Sequence, residues 1–460
     1  MRRFSVRIAA GLVAVGTVIP AAVAAQGYSV YTQGTCTMSR AGAAVASPCT
    51  DGSAIFYNPA AITNEPGVVA AGVTLIRPTE TFTDRLTGQV SETVDATYPV
   101  PHFYVTKGFG ERFAAGIGLF APYGLTTEWD PDSSQGRFLG YRSKVAAIYI
   151  QPTVAYEVAP WLSVGAGFNL SRVSVGLRQR LDLSQQQAAP GVTFANLGIQ
   201  AGTDFADANL ESSTWTKGYH LGLQVRPTRG VSIGARYLSR QLAEFDEGTV
   251  EFTPVETGLV LAPNNPLGLP GGTPVDLIVA SQFTGDGLLA EQGAHTFLRL
   301  PEQLVVGVAV EPLERVKLLF DYQYTNWSVF EELPITFERL GRRVQAENYE
   351  NTHGFRVGAE YGLGTSSALR AGYYTHGAAA PDETVTPLLP EAARASFTVG
   401  FGTRLGVGLG IDLAYQYIDA ADRIGRTVPE GPTPAATIAA NNGIYTGKSH
   451  LFAATLSYDF

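Results

Sequence analysis

Along most of the chain hydrophobic and polar residues alternate with a period of two. Over the last nine positions Phe452, Ala454, Leu456, Tyr458 and Phe460 share one face, and Ala453, Thr455, Ser457 and Asp459 share the other. Successive side chains of a β-strand point to opposite faces, so this is a strand with one apolar side. The same pattern places fourteen strands, near 66–77, 100–109, 111–124, 144–158, 160–178, 212–226, 229–245, 296–311, 314–337, 350–363, 366–376, 394–405, 407–420 and 448–460. Their connections alternate in length. Gly108 to Glu111, Ala159-Pro160, Pro227 to Gly230, Glu311 to Glu314, Leu363 to Ser366 and Leu405-Gly406 are tight turns, and between them run long loops, notably Arg178 to Ser212 and Asp246 to His295. Strands joined by short turns on one side and long loops on the other, in even number, describe a transmembrane antiparallel β-barrel.

A soluble sandwich also alternates, but it has about seven to nine strands and turns a polar face to water. Here the faces assigned outward are aromatic and aliphatic, as in Leu318, Phe320, Tyr322 and Tyr324. Lipid, not water, suits that surface. Composition agrees: hydrophobic residues make up 45% of the chain, yet past the N-terminus no run is long and apolar enough for a membrane helix.

The N-terminus reads as a secretory signal over residues 1–25. Arg2, Arg3 and Arg7 supply the charged start, Ile8 to Ile19 the apolar run, and Ala22 to Ala25 the small-residue cleavage site. Removing those arginines takes the net charge from −9 to −12, which speaks against a nucleic-acid partner. The remainder divides into an N-terminal hatch, 26–65, and the barrel, 66–460. The stretch Cys36 to Thr63 is too short and too rich in Ala, Gly and Ser for a domain of its own, so it reads as a plug for the barrel lumen. It holds both cysteines, Cys36 and Cys49, and an exported chain passes through an oxidising compartment. A disulfide is expected, stabilising the plug by roughly 3 kcal/mol; two free buried thiols are the alternative. No His or second Cys pair lies nearby, so no metal site is expected.

Within the plug stand Arg40-Ala41-Gly42 and Ala54-Ile55-Phe56-Tyr57-Asn58-Pro59-Ala60. Further on come Gly124-Leu125-Thr126-Thr127-Glu128-Trp129, Leu300-Pro301-Glu302 and Tyr324-Thr325-Asn326-Trp327-Ser328-Val329-Phe330. In these motifs the chain resembles the FadL family, outer-membrane transporters of long-chain fatty acids and aromatic hydrocarbons, although Ala61 stands where that family usually has Gly. The resemblance implies a monomeric barrel that takes up hydrophobic molecules passively. Outer loops capture the cargo, and the cargo leaves sideways into the membrane through a gap in the third strand. The hatch residues Phe56, Tyr57, Asn58, Pro59 and Ala60 are expected near that gap. In the third strand Ala114 to Gly118 and Pro122-Tyr123-Gly124 supply the small residues and proline that a distortion tolerates. The terminal Phe460 resembles the C-terminal signature that outer-membrane assembly machinery reads.

No enzyme motif is present, and the six His stand singly; neither catalysis nor a cofactor is expected. Alternation points Arg236 and Arg240, Lys317, Arg356, Arg370 and Arg404 into the lumen. One or two of Arg236, Lys317, Arg356, Arg370 and Arg404 could bind a fatty-acid carboxylate; the alternative is a salt-bridge network fastening plug to wall. Two outer stretches, Val192 to Leu197 and Pro274 to Leu289, are apolar enough to form a capture surface beside outer-membrane lipid. Long-chain fatty acid is the leading cargo, with aromatic or alkane hydrocarbon as runner-up. A water-filled porin and a non-transporting structural or adhesin barrel are the remaining alternatives.

Overall fold

The computed structural model describes residues 27–65, 67–406, 408–425 and 441–460. The expected signal segment lies outside them. Fourteen antiparallel strands close into a barrel. They are β1 Val68–Asp84, β2 Tyr98–Phe109, β3 Phe113–Glu128, β4 Arg142–Ala159, β5 Leu162–Asp182 and β6 Asp204–Thr228. Four strands follow in two pieces each: β7 (Val231–Leu238, Gln241–Pro254), β8 (Gln292–Leu300, Gln303–Leu313), β9 (Val316–Thr325, Glu332–Phe337) and β10 (Gly341–Ala346, Thr352–Leu363). The last are β11 Ser367–His376, β12 Arg394–Arg404, β13 Leu409–Ile424 and β14 Gly443–Asp459. Pairing of β1 with β14, from Val68 opposite Asp459 to Asp84 opposite Gly443, closes the cylinder and removes both sheet edges.

The sequence pattern finds the strands but misjudges them in two ways. Several run further outward than alternation suggests; β6, for instance, starts at Asp204, not near 212. Beyond the lipid there is no reason for one apolar face, so the period-two signal fades while the hydrogen-bond ladder continues. The expected continuous strands 229–245, 296–311 and 314–337 are instead broken, at Ser239-Arg240, Pro301-Glu302 and Asn326–Glu331. Pro301 has no N–H to give a ladder, and the Trp327-Ser328-Val329 turn folds into the lumen, where Trp327 is fully buried. The break at Ser239 also turns Arg240 to the exposed face, correcting its expected place in the lumen.

Residues 27–65 fill the barrel, and their polar groups are taken up by strands all around it. Thr35 bonds Thr455 of β14 at 2.7 Å, the Ala41 amide bonds Thr398 of β12, and Tyr104 of β2 donates to the Gln33 carbonyl. Asp321 of β9 accepts from the amides of Ala44 (2.8 Å) and Val45 (3.0 Å). Two helical turns, α1 Thr35–Met38 and α2 Ala54–Tyr57, give this segment its form. Between them Ala41 (φ 56°) and Gly42 (φ 78°) take left-handed conformations, and a Cβ on Gly42 would strike the Tyr31 ring. The Arg-Ala-Gly motif is therefore a tight reversal. Cys36 and Cys49 form a disulfide across it.

Outside, the long loops make an apolar core of their own. Phe194, Phe205, Leu210, Val250, Leu261 and Leu289 pack with a short helix, α3 Val275–Val279. On its surface Leu277 and Leu288 are 69% and 55% exposed.

Candidate functional site: a gap in the wall and the cavity behind it

Strand β2 pairs with β1 from Thr106 up to Tyr98, but with β3 only from Phe109–Phe113 to Phe103–Leu119. Strand β3 meanwhile continues along β4 as far as Glu128. So Tyr98 to His102 and Phe120 to Thr127 face each other with no ladder between them. Contact resumes only above, where Thr93 bridges Trp129 and the Val94 amide bonds the Glu128 carbonyl at 2.8 Å. The cause is local chemistry. Pro99 and Pro101 on β2 and Pro122 on β3 have no N–H, and a bulge between Phe120 and Tyr123 bends β3 and reverses its inward parity.

A free strand edge must find partners elsewhere. The N-terminal residues supply them from inside the lumen. The Val30 amide donates to the Pro122 carbonyl (2.8 Å) and the Gly124 amide to the Tyr28 carbonyl (2.9 Å). The Gln33 amide group donates to the Ala121 carbonyl (2.7 Å) and accepts from the Ala121 amide (3.0 Å). The inward turn of β9 clamps this short strand: Trp327 lies edge-on to Tyr28 at 4.7 Å and to Tyr123 at 6.4 Å. The carbonyls freed at the β8 break accept from Tyr28 (to Arg299, 3.1 Å) and Tyr123 (to Pro301, 2.6 Å).

Behind the gap lies a cavity of about 460 Å³. On the lumen side it is walled by Tyr31, Ile76, Val100, Tyr123, Leu125 and Ile418, with Glu80 and Arg394 among its few charged residues. It also reaches Lys144, Ala146 and Ile148, whose side chains alternate outward on β4. The cavity thus runs from the lumen to the outer face of the wall. A smaller cavity of about 60 Å³, lined by Tyr28, Phe245, Leu298, Phe330, Leu333 and Glu347, lies next to it, and both touch Leu125, Lys144 and Val145.

The loop 377–393 passes between the two cavities, with Leu388 and Leu389 on the smaller and Pro390 and Ala392 on the larger. Trp129 Nε1 donates to the Pro387 carbonyl at 2.9 Å, and the Ser143 hydroxyl donates to the Leu388 carbonyl. One carboxylate ties this loop to the N-terminal strand. Glu391 accepts from the Gly27 amide on one oxygen and from the Ala379 and Ala380 amides on the other, each at 3.0 Å. Burial raises its pKa, and those amide bonds oppose the shift.

None of Arg236, Lys317, Arg356, Arg370 and Arg404 lines the large cavity. Arg370 bridges Glu360 and Asp412, both at 2.6 Å. Lys317 bonds Ser47 (3.1 Å) and Glu311 (3.3 Å), and Arg404 bonds the Thr50 carbonyl (2.8 Å) and Ser457 (2.5 Å). Lys317 and Arg404 thus fasten plug to wall, while Arg370 ties wall strands together and meets the plug only through Glu360, 3.8 Å from Arg40. Arg236 donates to Gln303 at 2.9 Å and lies over Phe56, while Arg356 lies 3.7 Å over the Tyr31 ring. Neither is in an ion pair among the described residues, so Arg236 and Arg356 are held by aromatic faces. Arg394, which lines the cavity from the lumen side, points inward on β12 and makes no side-chain hydrogen bond among the described residues; the other cations of the lining, Lys144 and Lys448, alternate outward. The inward parity of Arg394 was readable in the sequence; that it faces open space was not.

The Asn58-Pro59-Ala60 turn sits deeper. Asn58 caps the turn Pro59–Asn64 by accepting from the Ala60 amide (3.1 Å), with Pro59 in the favoured first position. Its amide group donates to the carbonyls of Val45 (2.7 Å) and Leu223 of β6 (3.0 Å). Gly222 makes room, since a Cβ there would strike Asn58. The link to β3 runs through α2: Phe56 packs on Phe120 at 5.2 Å, Tyr57 donates to the Tyr31 carbonyl at 2.6 Å, and Ile55 lies against Gly118.

Residues 16–460 match the family model described as outer membrane protein transport protein (OMPP1/FadL/TodX). A long-chain fatty acid transport protein of Salmonella typhi is 23% identical over 421 residues, 89% of this chain and 88% of its own length. Among solved structures, a Pseudomonas aeruginosa FadL homologue superposes with a TM-score of 0.77 at 20% identity, covering 95% of this chain and all of the other. The Pseudomonas putida toluene transporter TodX superposes with 0.66 at 16% identity, covering 95% and 99%. A barrel closed by fourteen strands and a family match over nearly its whole length place the chain in the bacterial outer membrane, in the OMPP1/FadL/TodX family of transport proteins for hydrophobic compounds.

Proposed function

We propose that the protein takes up long-chain fatty acids, with the acyl chain passing from the outer loops through the two cavities and out sideways between β2 and β3. The observation that carries this reading is the continuity of the larger cavity with the outer face of β4 through the unladdered gap. A hydrophobic cargo gains nothing by entering periplasmic water, so a sideways exit into lipid lets it stay out of water throughout. Arg394 supports an acid over a hydrocarbon. It offers a guanidinium to the open cavity, and a carboxylate there would form a charge-assisted bond while the tail lies along Ile76, Val100, Leu125 and Ile418. The hatch turn, Phe56 to Ala60, then acts as the base against which β3 and the N-terminal strand are set.

One observation favours an aromatic hydrocarbon instead. Rings of Tyr31, Tyr98, Tyr123 and Tyr445 line the same cavity, and Glu80 partly balances Arg394. Binding of hexadecanoate, hexadecanol and toluene to the purified barrel separates the two readings. Tightest binding of hexadecanoate supports the acid; toluene binding with neither long-chain ligand supports the hydrocarbon. Steady ion conduction in a planar bilayer would contradict both, because the hatch fills the lumen.

A further inference from the structure

The lipid-facing wall is apolar and neutral over most of its height, but one sector is not. On four adjacent strands one cation each turns outward: Arg172 on β5, Lys217 on β6, Arg240 at the break of β7 and Arg299 on β8. The register draws them together. Arg172 stands opposite Trp215 and Leu170 opposite Lys217, so Arg172 and Lys217 are diagonal neighbours on one face. Arg299 stands opposite Leu242, whose carbonyl accepts a bond of 2.7 Å from Thr216, next to Lys217. Arg240 occupies the next outward position below Leu242.

Their height follows from chain length. Arg172 is about ten residues above the periplasmic end of its strand, which at about 3.3 Å per residue and a 35–45° tilt puts it about 25 Å up, the height of the apolar band. Below the cations lie Phe168, Tyr219, Leu221, Leu223, Leu304 and Val306, all exposed on the same wall. Of the acidic residues of this sector, Glu211, Glu244 and Asp246 stand on the loop side of them, and Glu302, at the β8 break below Arg299, accepts from Asn326 at 3.0 Å and Tyr237 at 3.4 Å. Aromatic rings flank the charges, Trp215 under Arg172 and Phe297 under Arg299.

Several outward cations elsewhere on the rim have acidic company: Arg77 pairs with Asp95 at 2.6 Å, and Lys448 stands opposite Asp419, whereas Lys144 on β4 is in no ion pair among the described residues. None of the four is in an ion pair among the described residues. Four unneutralised cations at the upper edge of a lipid-facing wall fit anionic head groups, and guanidinium in particular fits phosphate. We infer that this sector holds a phosphorylated glycolipid of the outer leaflet, with its phosphates on Arg172, Lys217, Arg240 and Arg299 and its acyl chains along the wall below.

The test compares wild-type barrel with an R172Q/K217Q/R240Q/R299Q variant, both in nanodiscs that contain lipid A or, separately, phosphatidylglycerol. Native mass spectrometry after release counts the lipid molecules that stay bound, and a heat-modifiability gel confirms that each barrel is folded. The wild type should keep lipid A at least fivefold better than the variant. An R172K/K217R/R240K/R299K protein, which keeps every charge, should restore most of that retention. Equal retention by wild type and the Gln variant overturns the proposal. Equal retention of phosphatidylglycerol and lipid A by the wild type overturns the assignment to a glycolipid.

Discussion

Replacing Arg394 by Gln tests how the cavity tells an acid from a hydrocarbon. The guanidinium enters the cavity without a hydrogen bond or a close ion pair among the described residues, so the substitution breaks no direct contact; it does remove a positive charge that acts on the Glu80 carboxylate across the cavity. What it removes is the bond to the ligand. A hydrogen bond to a charged group contributes about 1.5–3 kcal/mol, which corresponds to a binding constant weaker by roughly 10- to 150-fold. Glu80 lines the same cavity and offsets part of the positive field, so the lower part of that range, about 10- to 50-fold, is expected. The assay is displacement of a fluorescent fatty acid from purified barrel by hexadecanoate and by hexadecanol. The acid should lose affinity in R394Q, and the alcohol, which carries no charge, should bind within about twofold of wild type. Equal losses for both ligands would mean that the substitution deforms the cavity. Unchanged binding of the acid would refute the role given to Arg394.

Two further predictions concern the parts that hold the cavity in place. Glu347, in the linker between the two pieces of β10, is buried; desolvation pushes its pKa from near 4.5 up to about 8, and its carbonyl accepts from Thr384 of the loop 377–393. The native packing therefore holds a proton that the opened loop releases. Its stabilisation is complete below about pH 4.5 and lost as the pH rises through 8. Hydrogen exchange across 377–393 should accelerate between about pH 5 and 8 beyond the intrinsic rate and level off above 8, and E347Q should flatten that rise; a rise of the same size in both proteins would show that another group is responsible. Removing the hatch disulfide by C36A/C49A should destabilise the segment 36–49 by about 3 kcal/mol, through the freed loop entropy. Proteolysis within that segment should speed up with the barrel strands intact, and unchanged cleavage would count against it.

The strands were legible because lipid imposes an apolar face on them, and the stretch Cys36 to Thr63 stood apart from them because it is short, rich in Ala, Gly and Ser, and carries the Arg40-Ala41-Gly42 and Asn58-Pro59-Ala60 motifs. What remained hidden depends on contacts between distant parts of the chain. Pro99 and Pro101 are visible as ladder breakers, but that they border a gap follows only once β3 is seen to bulge at Phe120. Alternation gives Arg370 and Arg394 the same inward direction, yet Glu360 and Asp412 neutralise the first and the second faces open space. The Trp327 segment looked like strand because its residues suit one. It turns inward because Tyr28, Tyr123 and Tyr349 offer a buried aromatic site, which strand pairing would leave empty. Glu391 gave no sequence signal at all; its three amide donors come from residues 27, 379 and 380.

The central claim is that cargo leaves through the wall between β2 and β3, and the most direct test is to fill that passage from outside. Ala146 stands opposite Gly124 on the outward face of β4 and lines the cavity at its outer end. The measurement is uptake of labelled hexadecanoate by cells carrying A146W, beside cells carrying V399W, which places the same bulk on a lipid-facing position, 54% exposed on β12, away from the gap. With both variants folded and at wild-type abundance in the outer membrane, A146W should lower uptake at least fivefold and V399W should leave it unchanged. Wild-type uptake through A146W would contradict a route through the wall.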